Sequence, residues 1–298
     1  MLSLLICTRN RARQLERTLL HVGQLVFDGE WEVIVVDNGS TDDTQAVVEA
    51  FARATNVPVQ YAAAAQPGLS LARNVGVARA RGEIVCFTDD DCYPAPDYLQ
   101  RIDDIFSRQP EVAYVGGRVL LYDPEDARIT LQESMEHRTF PPGALLEAGT
   151  IHGANMAVRR SAMDAIGVFD PLLGAGGPLL SGEDIDFLAR LAAAGFTGRY
   201  DPAPVVYHHH MRRRGPELTA QKRGHDLGRG AVYFKALLRP TTRRTYAAYW
   251  LRRLWRLPPG KALRELHGAA LYCLYFARAR MTRSATASSA TAASLPPA

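Results

Sequence analysis

Strand and helix patterns alternate along the first 120 residues, and this order constrains the fold more than any other feature of the chain. Short apolar runs rich in β-branched residues predict strands, and apolar residues spaced three to four apart predict helices. In chain order these are a strand over Leu2–Cys7, a helix over Ala12–Leu25, a strand over Trp31–Val36, a helix over Thr41–Ala54, a strand over Val57–Ala62, a helix over Gly68–Arg81 and a strand over Ile84–Phe87. This β-α-β-α order predicts an α/β fold with a mostly parallel central sheet and helices on both faces.

Polar loops follow three of the predicted strands. They are Thr8–Arg11, Asp37–Ser40 and Asp89–Asp91. In sheets of this kind ligands bind beyond the carboxyl ends of the strands. We therefore expect the three loops to converge on one site.

Three consecutive acids, Asp89, Asp90 and Asp91, come directly after a strand that is predicted to be buried. Adjacent carboxylates repel one another, and a divalent cation would relieve the repulsion because hard cations prefer carboxylate oxygens. In an extended strand residues i and i+2 point the same way, so Asp89 and Asp91 would face one site and Asp90 would point away. A solvated acidic loop is the alternative interpretation.

Charge divides the chain into two parts. Residues 1–207 carry 17 arginines and no lysine against 28 acidic residues, whereas residues 208–283 carry 18 basic residues against three acidic ones. We predict a main domain over 1–210, a basic, aromatic-rich helical extension over 211–283, and a disordered Ser/Thr/Ala/Pro-rich tail over 284–298. The basic extension suggests an anionic partner, such as a membrane surface or a phosphorylated substrate.

The cysteines and the hydropathy pattern bound the location of the protein. Cys7, Cys86, Cys92 and Cys273 contain no C-x-x-C pair, which indicates a reducing compartment and no zinc site. No run of about 18 apolar residues is present, so no membrane-spanning helix is expected. The first residues, Met1–Cys7, lack a preceding basic segment and are interpreted as a strand rather than a signal peptide. We expect a cytoplasmic protein, either free or peripheral at the inner face of the membrane.

Six short motifs resemble, in their order, those of the family 2 glycosyltransferases, over roughly residues 2–210. The motifs are Cys7-Thr8-Arg9-Asn10-Arg11, Val36–Asp42, Gly68–Gly76 with Ala72-Arg73-Asn74, Asp89-Asp90-Asp91, Gly182-Glu183-Asp184-x-Asp186 and Tyr207-His208. The resemblance implies a GT-A fold with a Rossmann-like sheet. It also implies an inverting, metal-dependent transferase with a nucleotide-diphospho-sugar donor, for which UDP is the expected nucleotide. The implied acceptor is a hydroxyl group of a glycan, a lipid-linked sugar or a small metabolite.

The resemblance also implies a set of donor-binding residues. These are Thr8, Asn10, Arg11, Asp37, Asn38, Gly39, Arg73, Asn74, Asp89 and Asp90. The carboxylate of Asp37 suits a base N–H or a ribose hydroxyl, with turn formation as the structural alternative. The guanidinium of Arg73 suits a diphosphate, with an ion pair to the acid cluster as the alternative.

Metal and catalytic residues follow from the same resemblance. Asp89 and Asp91 match a D-x-D element that, with His208, would hold Mn²⁺ or Mg²⁺, and His209 and His210 are the alternative histidines. An imidazole ligand suits Mn²⁺ better than Mg²⁺.

The Gly182–Asp186 motif implies the general base. It matches Asp184 to the base that takes the acceptor proton, with Glu183 as second candidate. Acids also favour a helix N-terminus, which is the structural alternative for this pair. Asp186 is expected to be structural or to face the acceptor.

Other classes of function remain open at this point. A sugar-1-phosphate nucleotidyltransferase uses a similar sheet and a metal but needs a Gly-rich phosphate loop with Arg and Lys after the first strand, which Thr8–Arg11 lacks. A non-catalytic sugar-nucleotide-binding module would keep Asp37 without needing Asp184. The extension is either an amphipathic helix pair on an anionic membrane or a helical cap on the main domain. Nucleic-acid binding has no other support in the sequence.

Overall fold

The structure is a computed structural model that describes residues 1–213 and 215–292. The strands are β1 Leu2–Thr8, β2 Trp31–Asp37, β3 Val59–Ala63, β4 Ile84–Asp89, β5 Cys92–Pro94, β6 Val112–Leu121, β7 Arg138–Phe140, β8 Met156–Arg159 and β9 Thr197–His208. The α-helices are α1 Ala12–Val22, α2 Thr44–Ala54, α3 Leu69–Arg79, α4 Tyr98–Arg108, α5 Arg160–Ile166, α6 Glu183–Ala193, α7 Pro216–Leu237, α8 Arg243–Arg256 and α9 Pro259–Ala292. A short 3-10 helix, Gly153–Asn155, precedes β8.

All of these strands join one sheet in the order β3-β2-β1-β4-β8-β6-β9-β5, with β7 paired to β9 outside this path. The half formed by β3, β2, β1 and β4 is parallel. In the other half only β6 and β9 run parallel, while β8 is antiparallel to both β4 and β6. The predicted α/β class is confirmed, and the sheet as a whole is mixed.

Helices cover both faces of the sheet because its central strands are apolar on both sides. Along β2, Ile34 and Val36 pack on one face with residues of α3, α5 and α6. The alternate residues Val33 and Val35 pack on the other face with residues of α1, α2 and α4. Burial on both faces explains the continuous apolar runs that predicted these strands.

The register of the parallel strands brings their polar loops together. Thr8 at the end of β1 lies opposite Asp37 on β2, and Cys7 lies opposite Asp89 on β4. The loops after β1, β2 and β4 therefore leave the sheet at the same edge, as the strand pattern predicted.

The C-terminal helices α7, α8 and α9 form a cap on the main domain. Tyr233, Trp250 and Tyr272 of the cap share a core cluster with Leu173 and Leu179 of the main domain. The packing agrees with the predicted helical cap. Within the described residues, no helix has the length and apolarity needed to cross a membrane.

The structure describes part of the predicted C-terminal tail over 284–298, in which α9 is described through Ala292. Residues 293–298 lie outside the described residues.

Candidate active site

A cleft of about 540 Å³ opens where the loops after β1, β2 and β4 meet the N-terminus of α6 and one face of α7. It contains most of the predicted site residues: Thr8, Arg11, Asn38, Arg73, Asp89, Asp90, Asp91, Glu183, Asp184 and His208. Asn10, Asp37, Gly39 and Asn74 belong to the predicted set but are not among the residues that line this cleft.

Asp37 stabilises the turn after β2 and joins it to β3, and Asn10 joins the loops after β1 and β2. The carboxylate of Asp37 is buried and accepts hydrogen bonds from the Ser40 backbone N–H and the Tyr61 hydroxyl, both at 2.7 Å. The side-chain oxygen of Asn10 accepts the backbone N–H of Thr41 at 2.7 Å. Gly39 takes a positive φ of 80° in the same turn, where glycine carries no steric penalty. The structure gives Asp37 the turn-forming contacts that were its structural alternative, and its donor contact stays a prediction.

The two predicted asparagines have different surroundings. Asn38 lines the cleft, and its side-chain oxygen accepts the backbone N–H of Gly68 at 2.8 Å. Asn74 bonds the backbone of Phe169 instead, donating to its carbonyl at 2.9 Å and accepting from its N–H at 2.7 Å. Both polar atoms of the Asn74 amide are engaged, so its role in the structure is to join α3 to the loop before α6.

The three acids form a turn, because β4 ends at Asp89 and β5 begins at Cys92. The strand alternation that predicted their directions therefore stops at the first acid. Asp90 does not point away from the site but accepts hydrogen bonds from Thr8 at 2.7 Å and Arg11 at 2.8 Å. Burial raises the pKa of Asp90 to about 7, although Arg11 favours its charged form. We call Asp89–Asp91 the acid turn.

Arg11 pairs with two members of the acid turn at once. Its Nη1 contacts Asp90 at 2.8 Å and its Nη2 contacts Asp91 at 2.7 Å. One guanidinium thus offsets the repulsion between adjacent carboxylates. The side chain of Asp89 is 37% exposed and faces the cleft, 3.6 Å from Arg73.

His208 completes a group of metal-ligand atoms beside the acid turn. Its Nε2 lies 3.4 Å from Oδ1 of Asp91, and the ligand atoms of Asp91, Cys92 and His208 all lie within 4.8 Å of one another. Burial alone would lower the pKa of His208, but Asp91 and Asp89 outweigh burial and raise it. The carboxylate and imidazole atoms fit Mn²⁺ or Mg²⁺, whereas the sulfur of Cys92 is a soft ligand that suits neither.

The other two histidines of the run point elsewhere. Nδ1 of His209 lies 2.8 Å from the Tyr93 hydroxyl, and Nε2 of His210 lies 2.8 Å from the Ala127 carbonyl. Neither belongs to the metal-ligand group, so the geometry favours His208.

Arg73 joins the acid turn to α6 from a buried position. Its Nη1 donates to Oε1 of Glu183 at 2.8 Å, and its guanidinium lies 5.6 Å from the ring centroid of Phe169. Burial and the neighbouring charge of Asp184 raise the pKa of Glu183 to about 7, with Arg73 acting in the opposite direction. Arg73 also lies 3.6 Å from Asp89 of the acid turn. This is the ion pair with the acid cluster that was the alternative to diphosphate binding for Arg73.

Asp184 lies in the first turn of α6, half-buried and facing the cleft. Its Oδ2 accepts the Gly153 backbone N–H at 2.9 Å, and its Oδ1 accepts the N–H of Ile185 at 2.7 Å. Asp186 is turned away and contacts Lys235 at 2.8 Å and Arg190 at 3.0 Å. Of its two predicted roles, the contacts of Asp186 favour the structural one.

The motifs did not identify one wall of the cleft. His152, Gln221, His225 and Arg229 line this wall, and all of them lie outside the six motifs. The last three recur every fourth residue, which places them on one face of α7. The spacing in the sequence could have shown that these three residues share one face of the helix. It does not show which part of the protein that face packs against.

Sequence comparison relates the chain to known transferases. Residues 3–167, more than half of the chain, match the family described as Glycosyl transferase family 2. The chain is 27% identical over 251 residues to "Glycosyltransferase AglE" of Haloferax volcanii, which covers 84% of this chain and 79% of that protein. It is 28% identical over 215 residues to "Pre-mycofactocin glycosyltransferase" of Mycobacterium tuberculosis, covering 70% of this chain and 42% of that protein.

Solved structures share the fold. The mannosyltransferase PcManGT of Pyrobaculum calidifontis, in complex with GDP-Man and Mn²⁺, aligns with a TM-score of 0.64 and 21% identity over 94% of this chain and 79% of that one. S. aureus TarS 1-349, in complex with UDP-GlcNAc, aligns with a TM-score of 0.61 and 19% identity over 82% of this chain and 69% of that one. The chain belongs to glycosyltransferase family 2 and has the GT-A fold.

Proposed function

We propose that this chain transfers a sugar from a nucleotide-diphospho-sugar, with UDP as the expected nucleotide, to a hydroxyl acceptor. The configuration at the anomeric carbon would be inverted in the transfer. The observation that carries the proposal is the convergence of the acid turn, His208, Arg73 and Asp184 on one cleft. One structural neighbour is in complex with UDP-GlcNAc and another with GDP-Man and Mn²⁺, which supports a nucleotide-sugar and a divalent metal here.

The donor half of the site would be built around the acid turn. Asp89, Asp91 and His208 would hold Mn²⁺ or Mg²⁺. The grouped atoms of Asp91 and His208 support this, and Asp89 lines the same cleft from the acid turn. When bound, the metal would neutralise the charge that develops on the leaving diphosphate. Arg11 holds Asp90 and Asp91 in place, and Arg73 lies beside Asp89, so both guanidinium groups would orient the carboxylates.

Asp184 is the better placed of the two candidate bases. Glu183 is buried against Arg73, whereas Asp184 is half-buried and faces the cleft. A carboxylate oxygen that already accepts one backbone N–H has a second lone pair for an acceptor hydroxyl. Asp184 would take the hydroxyl proton as the acceptor oxygen attacks the anomeric carbon of the donor.

A donor screen followed by two variants tests this proposal. Thermal stabilisation by a panel of nucleotide-sugars with Mn²⁺ identifies the donor, because a ligand that binds only the folded state raises stability. Asp184→Asn should then bind that donor normally but transfer about 10²–10⁴ times more slowly. Asp91→Ala should lose metal-dependent donor binding.

Other outcomes would contradict the proposal. Folded Asp91→Ala and Asp184→Ala proteins that retain full transfer would overturn it. Pyrophosphate chemistry with a sugar 1-phosphate would instead support a nucleotidyltransferase. Donor binding without hydrolysis or transfer would support a non-catalytic binding module.

We also propose that the cap contacts an anionic membrane surface. On α8, Leu251 is 67% exposed and Trp255 is 93% exposed. They lie one helical turn apart, and three exposed arginines, Arg244, Arg252 and Arg256, flank them. Exposed apolar side chains beside cations are the pattern by which helices bind the interface of acidic lipids. A surface of this kind suits the lipid-linked class among the predicted acceptors.

A further inference from the structure

Helix α7 forms a wall of the cleft on the side of Asp184. Gln221, His225 and Arg229 lie along one face of α7 and line the cleft. His152 lines the same cleft and directly precedes Gly153, whose backbone N–H binds Asp184 at 2.9 Å. The wall is therefore attached to the candidate base, and Gly153 also lies against the guanidinium of Arg73.

Two polar atoms in this wall have no partner. Oε1 of Gln221 and Nε2 of His152 are buried and make no hydrogen bond within the described part of the chain. The other buried side-chain atoms without a partner belong to residues that do not line the cleft: Thr88, Tyr98, Tyr114, Asn155 and Tyr233. Buried polar atoms are normally paired, so two unpaired ones in one cleft indicate that a ligand pairs them.

Three of the four hydrogen-bonding side chains of this wall, those of His152, Gln221 and His225, are neutral. Burial lowers the pKa of His152 and of His225, so both imidazoles are uncharged near neutral pH. The fourth, Arg229, is held inside the cap by Asp226 at 2.7 Å and Glu265 at 3.0 Å, two carboxylates that also pair with Arg264 and Arg253. Neutral groups that both donate and accept hydrogen bonds match hydroxyl groups better than phosphates or carboxylates.

The other cationic side chains that line the cleft are Arg9, Arg11, Arg73 and Arg212. Arg11 and Arg73 pair with the acid turn, and Arg212 follows β9, which ends at His208. These cations belong to the donor half, whereas Gln221 and His225 present neutral groups on the face of α7.

We propose that Gln221, His152 and His225 form the acceptor subsite, and that it takes a neutral polyhydroxyl compound, a sugar ring or a polyol. This inference rests on the function proposed above. One hydroxyl of the acceptor lies at Asp184 and gives up its proton, while neighbouring hydroxyls pair the free atoms of Gln221 and His152. The extension therefore supplies acceptor specificity as well as a cap.

The test separates acceptor binding from donor chemistry. With the donor found by the screen, release of nucleoside diphosphate is measured without acceptor and with methyl glycosides or ribitol as acceptors. Gln221→Ala should raise the acceptor KM about three- to tenfold, the loss expected for one hydrogen bond, and should change the donor KM by less than this factor. Lys222→Ala, an exposed neighbour on α7, is the matched control and should leave every parameter unchanged.

Further variants keep the test decisive. His152→Ala should raise the acceptor KM in the same way. If Gln221→Ala is unstable, Gln221→Asn replaces it, because asparagine keeps the amide group on a side chain that is shorter by one CH₂. Equal acceptor KM values for the Gln221 and Lys222 variants would overturn the inference. So would transfer that occurs only to anionic acceptors such as sugar phosphates. A wild-type chain that neither hydrolyses nor transfers from any nucleotide-sugar would instead refute the proposed function.

Discussion

The three carboxylates of the acid turn differ in their sets of partners. Asp89 lies 3.6 Å from Arg73, Asp90 is paired with Arg11, and Asp91 lies between Arg11 and His208. The sequence predicted that Asp90 would differ from its two neighbours, on the basis of strand alternation. The structure shows a difference for another reason, since the strand has ended and the side chains are directed by their ion pairs.

The histidine run allows a matched test of the metal site. Mn²⁺ should raise the thermal stability of the wild-type protein, by about 2.7 kcal/mol at a concentration one hundred times its Kd. His208→Ala should lose most of this stabilisation because it removes a ligand atom from the group around Asp91. His209→Ala should retain it, since that side chain binds Tyr93 instead. Melting curves with and without Mn²⁺ measure the effect, and equal losses in the two variants would contradict the assignment.

Glu183 should make stability depend on pH. Its pKa is raised to about 7 by burial and by Asp184, against about 4.3 in an unfolded chain. Between these values the unfolded chain releases the proton while the folded chain keeps it. The free energy of unfolding should therefore fall as pH rises from about 4.5 to about 7, by about 2–3 kcal/mol from this group, and level off above.

Glu183→Gln should remove the share of that decrease that Glu183 contributes, because glutamine stays neutral, while Asp90, whose pKa is also raised to about 7, keeps its own share. Urea denaturation across this range gives the measurement, and Glu16→Gln, at an exposed glutamate, is the control that should keep the wild-type slope. A Glu183→Gln protein with the same pH dependence as the wild type would show that the buried carboxyl titrates normally.

At the scale of elements, a charge network attaches the cap to the main domain. Lys235 on α7 lies 2.6 Å from Asp170 and 2.8 Å from Asp186 on α6. Tyr272 on α9 donates to the same Asp170 at 3.0 Å. Because α6 also carries Asp184, the position of the candidate base depends on how the cap is seated.

Removing the lysine should loosen this contact. Lys235→Met leaves Asp186 with Arg190 as its near partner and should cost about 1–3 kcal/mol of unfolding free energy, because a buried charge loses part of its compensation. Lys222→Met changes an exposed lysine of the same helix and should stay within about 0.5 kcal/mol of the wild type. Chemical denaturation compares the two, and equal midpoints would show that the network contributes nothing to stability.

At the scale of the whole molecule, basic charge is concentrated in the C-terminal part of the chain. Residues 1–207 are acidic on balance and residues 208–283 are basic. Part of the basic charge is used inside the cap and against the main domain, by Arg229, Lys235 and Arg264. Other arginines remain exposed on α8 beside Leu251 and Trp255, which gives the molecule one face suited to acidic lipids.

Vesicle binding tests that face. The wild-type protein should sediment with vesicles rich in phosphatidylglycerol and release from them as salt increases, because salt screens the attraction. The double variant Leu251→Ala/Trp255→Ala should bind at least about tenfold more weakly, since burial of apolar groups contributes about 0.8 kcal/mol per CH₂. Leu20→Ala removes a comparably exposed leucine from α1 and is the control. Equal sedimentation of all three proteins would argue against membrane contact through α8.

Local patterns allowed the sequence to predict the parallel half of the sheet, the loops at its carboxyl edge and ten of the residues that line the cleft. Strand and helix periodicity and short motifs depend on residues close together in the chain. The antiparallel strand β8, the pairing of Arg73 with Glu183 and the seating of α7 on the cleft depend on contacts between distant segments. Arg73 and Glu183 are 110 positions apart, and no local pattern encodes which distant charge a buried guanidinium will meet. The sequence by itself determined the chemistry available at the strand ends, and the tertiary structure decided which groups are paired and which face the cleft, because burial and packing select the partners.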